Sequence, residues 1–460
     1  LKVAVVNLKL ELAINTQTPL IRFKLSFEEL LEKYGKLEEP VDLENLAKDE
    51  DYYFAPGGVT AMVYPMVKEL MSTDELRSAC WVSLNPNAPS EALFEGIKLY
   101  HVQLPNELIP YYTSFKENIW RECHGLGWSK IKVKEYEAYM EYNWLCAQRM
   151  LRLLPEVDLL WVHDFQQLQV GGFIGPSAPT VFRWHIPFKV DLVSPRMRDF
   201  VLRSFEGYDA VVVSTRRDLE GLVHGGYRGR AYQIYPYIDP RKWYKPSNEE
   251  IKRVSEKYGI KEDHELVLVV ARMDYVKRQD VAIKSHALLR KRRPNTVLML
   301  VGDGSFTSSG LGHSKGEQWR RYLVSLAREL RVEDSVLFSG YVNEEELRAL
   351  YARADAVLLP SMMEGFGLTV VEAWALKKPV IVSKGAGVSE LVIEGVNGFT
   401  HKPEDHEELS SKVAKVLEDS EEAAKMGELG YETSKRCWVT SAKDKLKEVF
   451  EDVIKGYEEP

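Results

Sequence analysis

Arg272 and Lys277 follow the apolar run Leu266 to Val270, in the segment Ala-Arg-Met-Asp-Tyr-Val-Lys. Two cations at the carboxyl end of a parallel strand can neutralise a diphosphate-like leaving group without a metal. Taken alone they fit a solvated basic loop better. Glu364 and Glu372 stand in Ser-Met-Met-Glu-Gly-Phe-Gly-Leu-Thr-Val-Val-Glu, which begins at Ser361. There a strand ends, and the loop Gly365, Phe366, Gly367 and Leu368 opens a helix. Such a loop offers unpaired backbone N–H groups, and the two carboxylates can accept hydrogen bonds from hydroxyl groups. Glu372, in a first helical turn, also suits the helix dipole.

The first half carries a second set. His163 and Asp164 lie in Trp-Val-His-Asp-Phe-Gln, and His185 lies in Arg-Trp-His-Ile-Pro-Phe. Both segments close apolar runs, so the three side chains are expected at the ligand-binding end of a sheet; singly, each fits a satisfied structural residue. Gly57 and Gly58, after Pro56, precede a helix striped by Met62, Val63, Met66, Val67 and Leu70. A glycine pair there lets a phosphate approach the helix N-terminus, or makes a plain turn.

Positioning these groups requires strands that end where they stand. Apolar, β-branched runs occur at Val3 to Asn7, Cys80 to Leu84, Ile97 to Gln103, Leu159 to Asp164, Val181 to Ile186 and Ala210 to Thr215. They resume at Leu266 to Met273, Val297 to Gly302, Val336 to Tyr341, Ala356 to Ser361 and Val380 to Ser383. Helical stretches alternate with them, which implies an α/β chain of βαβ units with parallel sheets, in number about twice what one open sheet holds. Pro240 and Pro246 flank a polar tract that marks the boundary and a hinge near 240–260. The expectation is two doubly wound, Rossmann-like domains facing across a cleft: 1–240, 241–435, and a final segment 436–460 whose Leu446, Val449, Phe450 and Val453 have helical spacing. Alternation from Leu8 to Leu12 and from Ile21 to Leu25, around Asn15 to Pro19, predicts a hairpin inside an insertion at about 8–52. Ser26 and Glu29 form a capping box for a helix ending near Gly35. The insertion is a lid or a decoration.

Composition removes several classes. With 460 residues, 45% hydrophobic and 28% charged, the chain is long enough for two or three packed domains and is neither disordered nor fibrous. A net charge of -8 disfavours nucleic acid and anionic membranes as main partners. Cys80, Cys123, Cys146 and Cys437 lack metal or disulfide spacing. No apolar run approaches a membrane span, and the start at Leu1 shows no basic segment followed by an apolar one, so a cytoplasmic protein is expected; Leu1 is not a methionine, which leaves room for residues upstream. Thr307 stands where a third glycine would complete a dinucleotide fingerprint after Gly302 and Gly304, which argues against a dehydrogenase. Asp49-Glu50-Asp51 matches a metal-binding D-x-D formally but reads as a solvated charge run.

Taken together, the second half resembles the retaining GT-B glycosyltransferases of family 4. The resemblance rests on Arg272 and Lys277, on Val301-Gly302-Asp303-Gly304, on Glu364 and Glu372, and on Gly385-Ala386-Gly387 with Glu390, Gly395 and Gly398. It implies that Arg272 and Lys277 hold a nucleotide diphosphate, Glu372 the ribose hydroxyls, and Glu364 with the Gly365 to Leu368 backbone the donor sugar. The first half is similar to trehalose-forming members in the Gly57-Gly58 turn, in Tyr111 to Phe115 with Trp120, and in the segments around Asp164 and His185. By that resemblance Asp164 and His185 line the reacting sugars, and Tyr112 and Trp120 lie on the acceptor side.

One branch of those enzymes glucosylates free glucose, the other glucose 6-phosphate. The arginine expected after the first strand for a phosphorylated acceptor is replaced in Val6-Asn7-Leu8, and another in the second domain by Gly302-Asp303-Gly304-Ser305. Free glucose is therefore the expected acceptor, while Lys9, Arg22, Lys24 and Arg121 with Tyr112 and Trp120 keep the phosphate reading open. The resemblance further implies NDP-glucose as donor with the base undetermined, a front-face reaction, and no required cofactor or metal, Mg2+ being at most stimulatory. A homodimer is possible, and a sugar-nucleotide sensor without turnover is the rival from another class.

Overall fold

The computed structural model describes residues 9–54, 57–303 and 311–458. The expected strand Val3 to Asn7, Leu8, Pro56, Gly304, Ser305 and Thr307 lie outside them. The chain divides into two compact units, one reaching Ile234 and taking in the chain from Ala442 onward, the other spanning Tyr235–Ser441.

In the first unit, strands β1 (Leu10–Thr16), β5 (Leu76–Leu84), β6 (Glu91–Phe94), β7 (Ile97–Val102), β8 (Leu159–His163), β9 (Thr180–Arg183), β10 (Ala210–Val213) and β11 (Ala231–Gln233) join the two-residue β3 (Val41–Asp42) in one sheet. Its order is β11-β10-β9-β8-β1-β5-β7-β6-β3, parallel except where β6 runs against β7. Strand order reverses between β1 and β8, so β1 is the central strand and its carboxyl end, with that of β8, forms the switch point where ligands of such sheets bind.

This corrects the expected hairpin. Residues 10–16 do not fold back on Ile21 to Leu25; they pair in parallel with β5 and β8. The polar residues that look like a turn are buried at the strand's end. Asn15 donates to Val82 O at 3.1 Å, and Thr16 accepts from Trp81 Nε1 at 2.8 Å. The insertion therefore lies between β1 and the helix Gly58–Ser72, and in it β2 (Ile21–Phe23) pairs antiparallel with β4 (Tyr52–Phe54). The Ser26–Glu29 capping box and the Gly35 helix end are present.

The second unit holds β12 (Glu265–Val270), β13 (Thr296–Val301), β14 (Val336–Gly340), β15 (Ala356–Leu359), β16 (Val380–Ser383) and β17 (Phe399–His401) in the order β14-β13-β12-β15-β16-β17, all parallel. Its switch point lies between β12 and β15. The four central strands β12, β13, β15 and β16 are buried on both faces, which is why they read as continuous apolar runs rather than alternating ones. The helix Val439–Glu458 packs Leu446 and Phe450, both fully buried, and its Lys443 and Lys447 pair with Glu75 at 2.7 and 3.1 Å.

Candidate active site

Because β12 and β15 are neighbours, the loops that follow them meet. Met362 N donates to Val276 O at 2.8 Å, and Lys277 Nζ reaches Glu364 Oε2 at 2.5 Å. Ser361 Oγ donates to the same oxygen at 3.0 Å. Burial alone would raise the Glu364 carboxyl, but Lys277, Ser361 and Arg272 outweigh it and hold it below the ordinary carboxylate range. The side chains of Lys277 and Glu364 are 14% and 19% exposed, enough for a ligand to reach them. Arg272 is exposed on the same loop, and its carbonyl accepts from Gln279 Nε2 at 2.8 Å.

The Glu364 backbone is clamped to the next loop: its N–H donates to Gly385 O and its carbonyl accepts from Gly387 N. Gly365 is half-buried and Phe366 is buried against Tyr235. Gly367 caps the helix Leu368–Ala375 at φ +111°, and a Cβ there would lie 2.4 Å from Leu359 Cδ2. Glu372 sits on that helix and accepts from Tyr351 Oη at 2.8 Å. Burial pushes its carboxyl up to about 7, although the Tyr351 hydrogen bond works the other way.

In the first unit the ends of β8 and β9 bring His163, Asp164 and His185 together. His163 Nδ1 lies 3.0 Å from His185 Nε2, with the rings stacked at an interplanar angle of 22°. Burial holds both imidazoles well below the ordinary histidine range, with Arg183 adding to the effect on each. Asp164 adopts φ +70°, a conformation that costs a non-glycine residue about 1–3 kcal/mol and collects at functional sites. Its Oδ1 accepts from His185 N at 3.3 Å. Burial pushes this carboxyl up to about 7, against the backbone N–H groups of Phe165 and His185. Gly57 caps the helix Gly58–Ser72 beside Thr18, which follows β1, and Gly58 faces open space.

Not every expected residue is placed as the sequence suggests. Tyr112 is 1% exposed and packed on Tyr142 with centroids 4.6 Å apart. Trp120 is half-buried and stacks on His124. Lys9 precedes the amino end of β1, opposite the ligand end, and pairs with Asp74 at 2.5 Å. Asp51, read as solvated, is fully buried and accepts from Tyr34, Lys33 and Ala47 N. Two polar residues escaped the sequence reading. Oriented to satisfy its neighbours, the buried Gln167 amide donates to His163 O and accepts from Gln17 N, both at 2.7 Å. Lys116 donates to Gln17 Oε1 at 3.2 Å. Among the described residues no three His, Cys, Asp or Glu side chains gather to hold a metal ion, and no helix is long and apolar enough to cross a membrane.

Residues 250–433, which include the loops around Lys277 and Glu364, match the model for glycosyl transferases group 1. This segment is a group 1 glycosyltransferase domain. The glycosyltransferase of Methanocaldococcus jannaschii, itself uncharacterised, is 32% identical over 161 residues, 35% of this chain and 38% of that protein. The trehalose synthase of Pyrococcus horikoshii is 28% identical over 281 residues, 60% of this chain and 64% of that protein. The shared region thus spans less than two thirds of these relatives. Beyond the glycosyltransferase domain, the whole chain has the GT-B fold. The structure of the trehalose-6-phosphate synthase OtsA matches with a TM-score of 0.74 at 15% identity, covering 96% of this chain and 99% of that one. HepE of Anabaena, in complex with UDP-glucose, matches at 0.66 and 17%, covering 96% and 100%.

Proposed function

We propose that the chain is a retaining glucosyltransferase that moves glucose from NDP-glucose to free glucose, giving α,α-trehalose and NDP. The observation that carries this reading is the Lys277–Glu364 pair at the switch point of the second unit, with Arg272 on the same loop. In this reading Arg272 and Lys277 stabilise the charge that grows on the departing diphosphate. Glu364 and the Gly365 to Leu368 backbone hold the donor sugar, and Glu372 takes the ribose hydroxyls. Asp164 and His185 serve the reacting sugars from the first unit. Trehalose synthases among the relatives and a trehalose-6-phosphate synthase among the structural neighbours support the product class.

A double displacement needs a carboxylate against the anomeric carbon. Glu364 is already engaged by Lys277 and Ser361, and Glu372 by Tyr351. The resemblance to retaining family 4 glycosyltransferases places neither glutamate against that carbon, and on that ground the reaction is assigned to front-face attack, in which the acceptor hydroxyl attacks the anomeric carbon as the phosphate oxygen leaves, and that oxygen takes the hydroxyl proton. Free glucose is preferred over glucose 6-phosphate because a dianion needs several cations. Of the four cations named for a phosphate, Lys9 is committed to Asp74 at the other end of the sheet, Lys24 donates to Asp49 O and Arg121 to Leu126 O, which leaves Arg22, whose buried Nε has no hydrogen-bond partner among the described residues.

The test is an NDP-release assay with UDP-glucose and ADP-glucose, each offered glucose or glucose 6-phosphate, with products separated by chromatography. Trehalose from glucose supports the reading. Product from glucose 6-phosphate alone overturns the acceptor, and nucleotide binding without release overturns the enzyme.

A further inference from the structure

Lys116, on the helix Ile109–Cys123, is 6% exposed, yet among the described residues it makes no ion pair. Its Nζ donates to Gln17 Oε1 at 3.2 Å and lies 5.6 Å from the centroid of the Tyr112 ring. An ammonium taken out of water without a counter-charge costs several kcal/mol, and burial lowers the Lys116 pKa. Apolar residues of similar length would fill the space at less cost, so the cation is retained for what it contacts when a ligand is present.

Its address says where that ligand lies. Gln17 immediately follows the last residue of β1, and its N–H donates to Gln167, whose amide donates in turn to the carbonyl of His163 at the end of β8. Lys116 is thus tied, through two amides, to the switch point that also carries Asp164. The ammonium has three donors, and Gln17 takes one. Tyr112, an aromatic face beneath it, fixes its position without consuming a proton.

We propose that Lys116, aimed by Gln17 and Tyr112, donates hydrogen bonds to hydroxyl oxygens of the neutral acceptor sugar and selects that acceptor. This rests on the glucosyltransferase reading. A single ammonium beside an uncharged amide is matched to neutral oxygens, whereas a phosphate dianion there would retain an uncompensated charge.

The experiment uses Lys116→Met, of similar length and uncharged, and Lys116→Gln as a second variant. Lys116→Met raises the glucose KM at least tenfold, leaves the NDP-glucose KM within twofold, and keeps or raises the melting temperature because the buried charge is gone. Glucose alone raises the melting temperature of the wild type but not of the variant. An unchanged glucose KM in both variants overturns the proposal, as does loss of turnover with glucose 6-phosphate but not with glucose. If the wild type forms no disaccharide but is stabilised by glucose, and Lys116→Met abolishes that stabilisation, the assignment of Lys116 stands and the proposed reaction falls. Disaccharide formation with an unaltered glucose KM in the variants does the reverse.

Discussion

Tyr351 Oη donates to Glu372 Oε2 at 2.8 Å, so the carboxylate proposed to hold the ribose is itself held by a fully buried phenol. Burial has raised Glu372 to about 7, so it changes charge near neutral pH. Its ionised form accepts two ribose hydroxyls better than its protonated form. Donor KM is expected to rise roughly five- to tenfold between pH 8 and pH 6, following the lost carboxylate. Glu372→Gln removes that dependence, and Tyr351→Phe, which deletes a group that lowers the pKa, moves the rise to higher pH. Steady-state kinetics in the donor at three pH values checks all three.

Asp164 gives a stability signature of its own. Its folded pKa of about 7 lies above the unfolded value of about 3.9, so the stabilisation is complete below the unfolded value and is lost as pH rises through 7. The difference amounts to about 4 kcal/mol. Asn tolerates positive φ and cannot ionise. The melting temperature of Asp164→Asn relative to wild type therefore increases from pH 5 to pH 8, and a difference independent of pH would remove the ionisation from the account.

Glu364→Ala and Arg272→Ala are each expected to lower turnover at least about 100-fold, the scale on which a single electrostatic group acts in a transition state. Glu364→Ala also leaves Lys277 without its partner at 2.5 Å. Near-normal rates in either folded variant remove that residue from its role.

Gly367→Ala tests the loop rather than the charge. A side chain at φ +111° is strained, and its Cβ would strike Leu359. The urea midpoint falls by the equivalent of at least about 2 kcal/mol. Adding Leu359→Ala makes room without relieving the backbone, so the double variant recovers nothing of the backbone part.

Lys9→Ala is expected to leave the preference between glucose and glucose 6-phosphate unchanged within twofold, because Lys9 lies at the amino end of β1 against Asp74. A large change in that ratio would return Lys9 to the acceptor site.

The βαβ alternation and the two parallel sheets were legible because strands buried on both faces leave long apolar runs, and the turn at Gly367 because its two glycines lie between a strand and a helix start. The central strand of the first unit was not. Asn15 and Thr16 carry the composition of a turn, and only their burial against Val82 and Trp81 makes them strand residues. Lys116 gives no periodic signal, since a lone lysine among polar residues reads as exposed.

The helix Val439–Glu458 sends Phe450 against Trp161 and Lys443 to Glu75, so the first unit is assembled from both ends of the described chain. During synthesis the residues up to Ile234 leave the ribosome with those surfaces bare, whereas the second unit has its whole sequence by Ser441. The half of the protein made first is therefore the half completed last, and a chain cut before Ala442 releases a complete second unit attached to an unfinished first one.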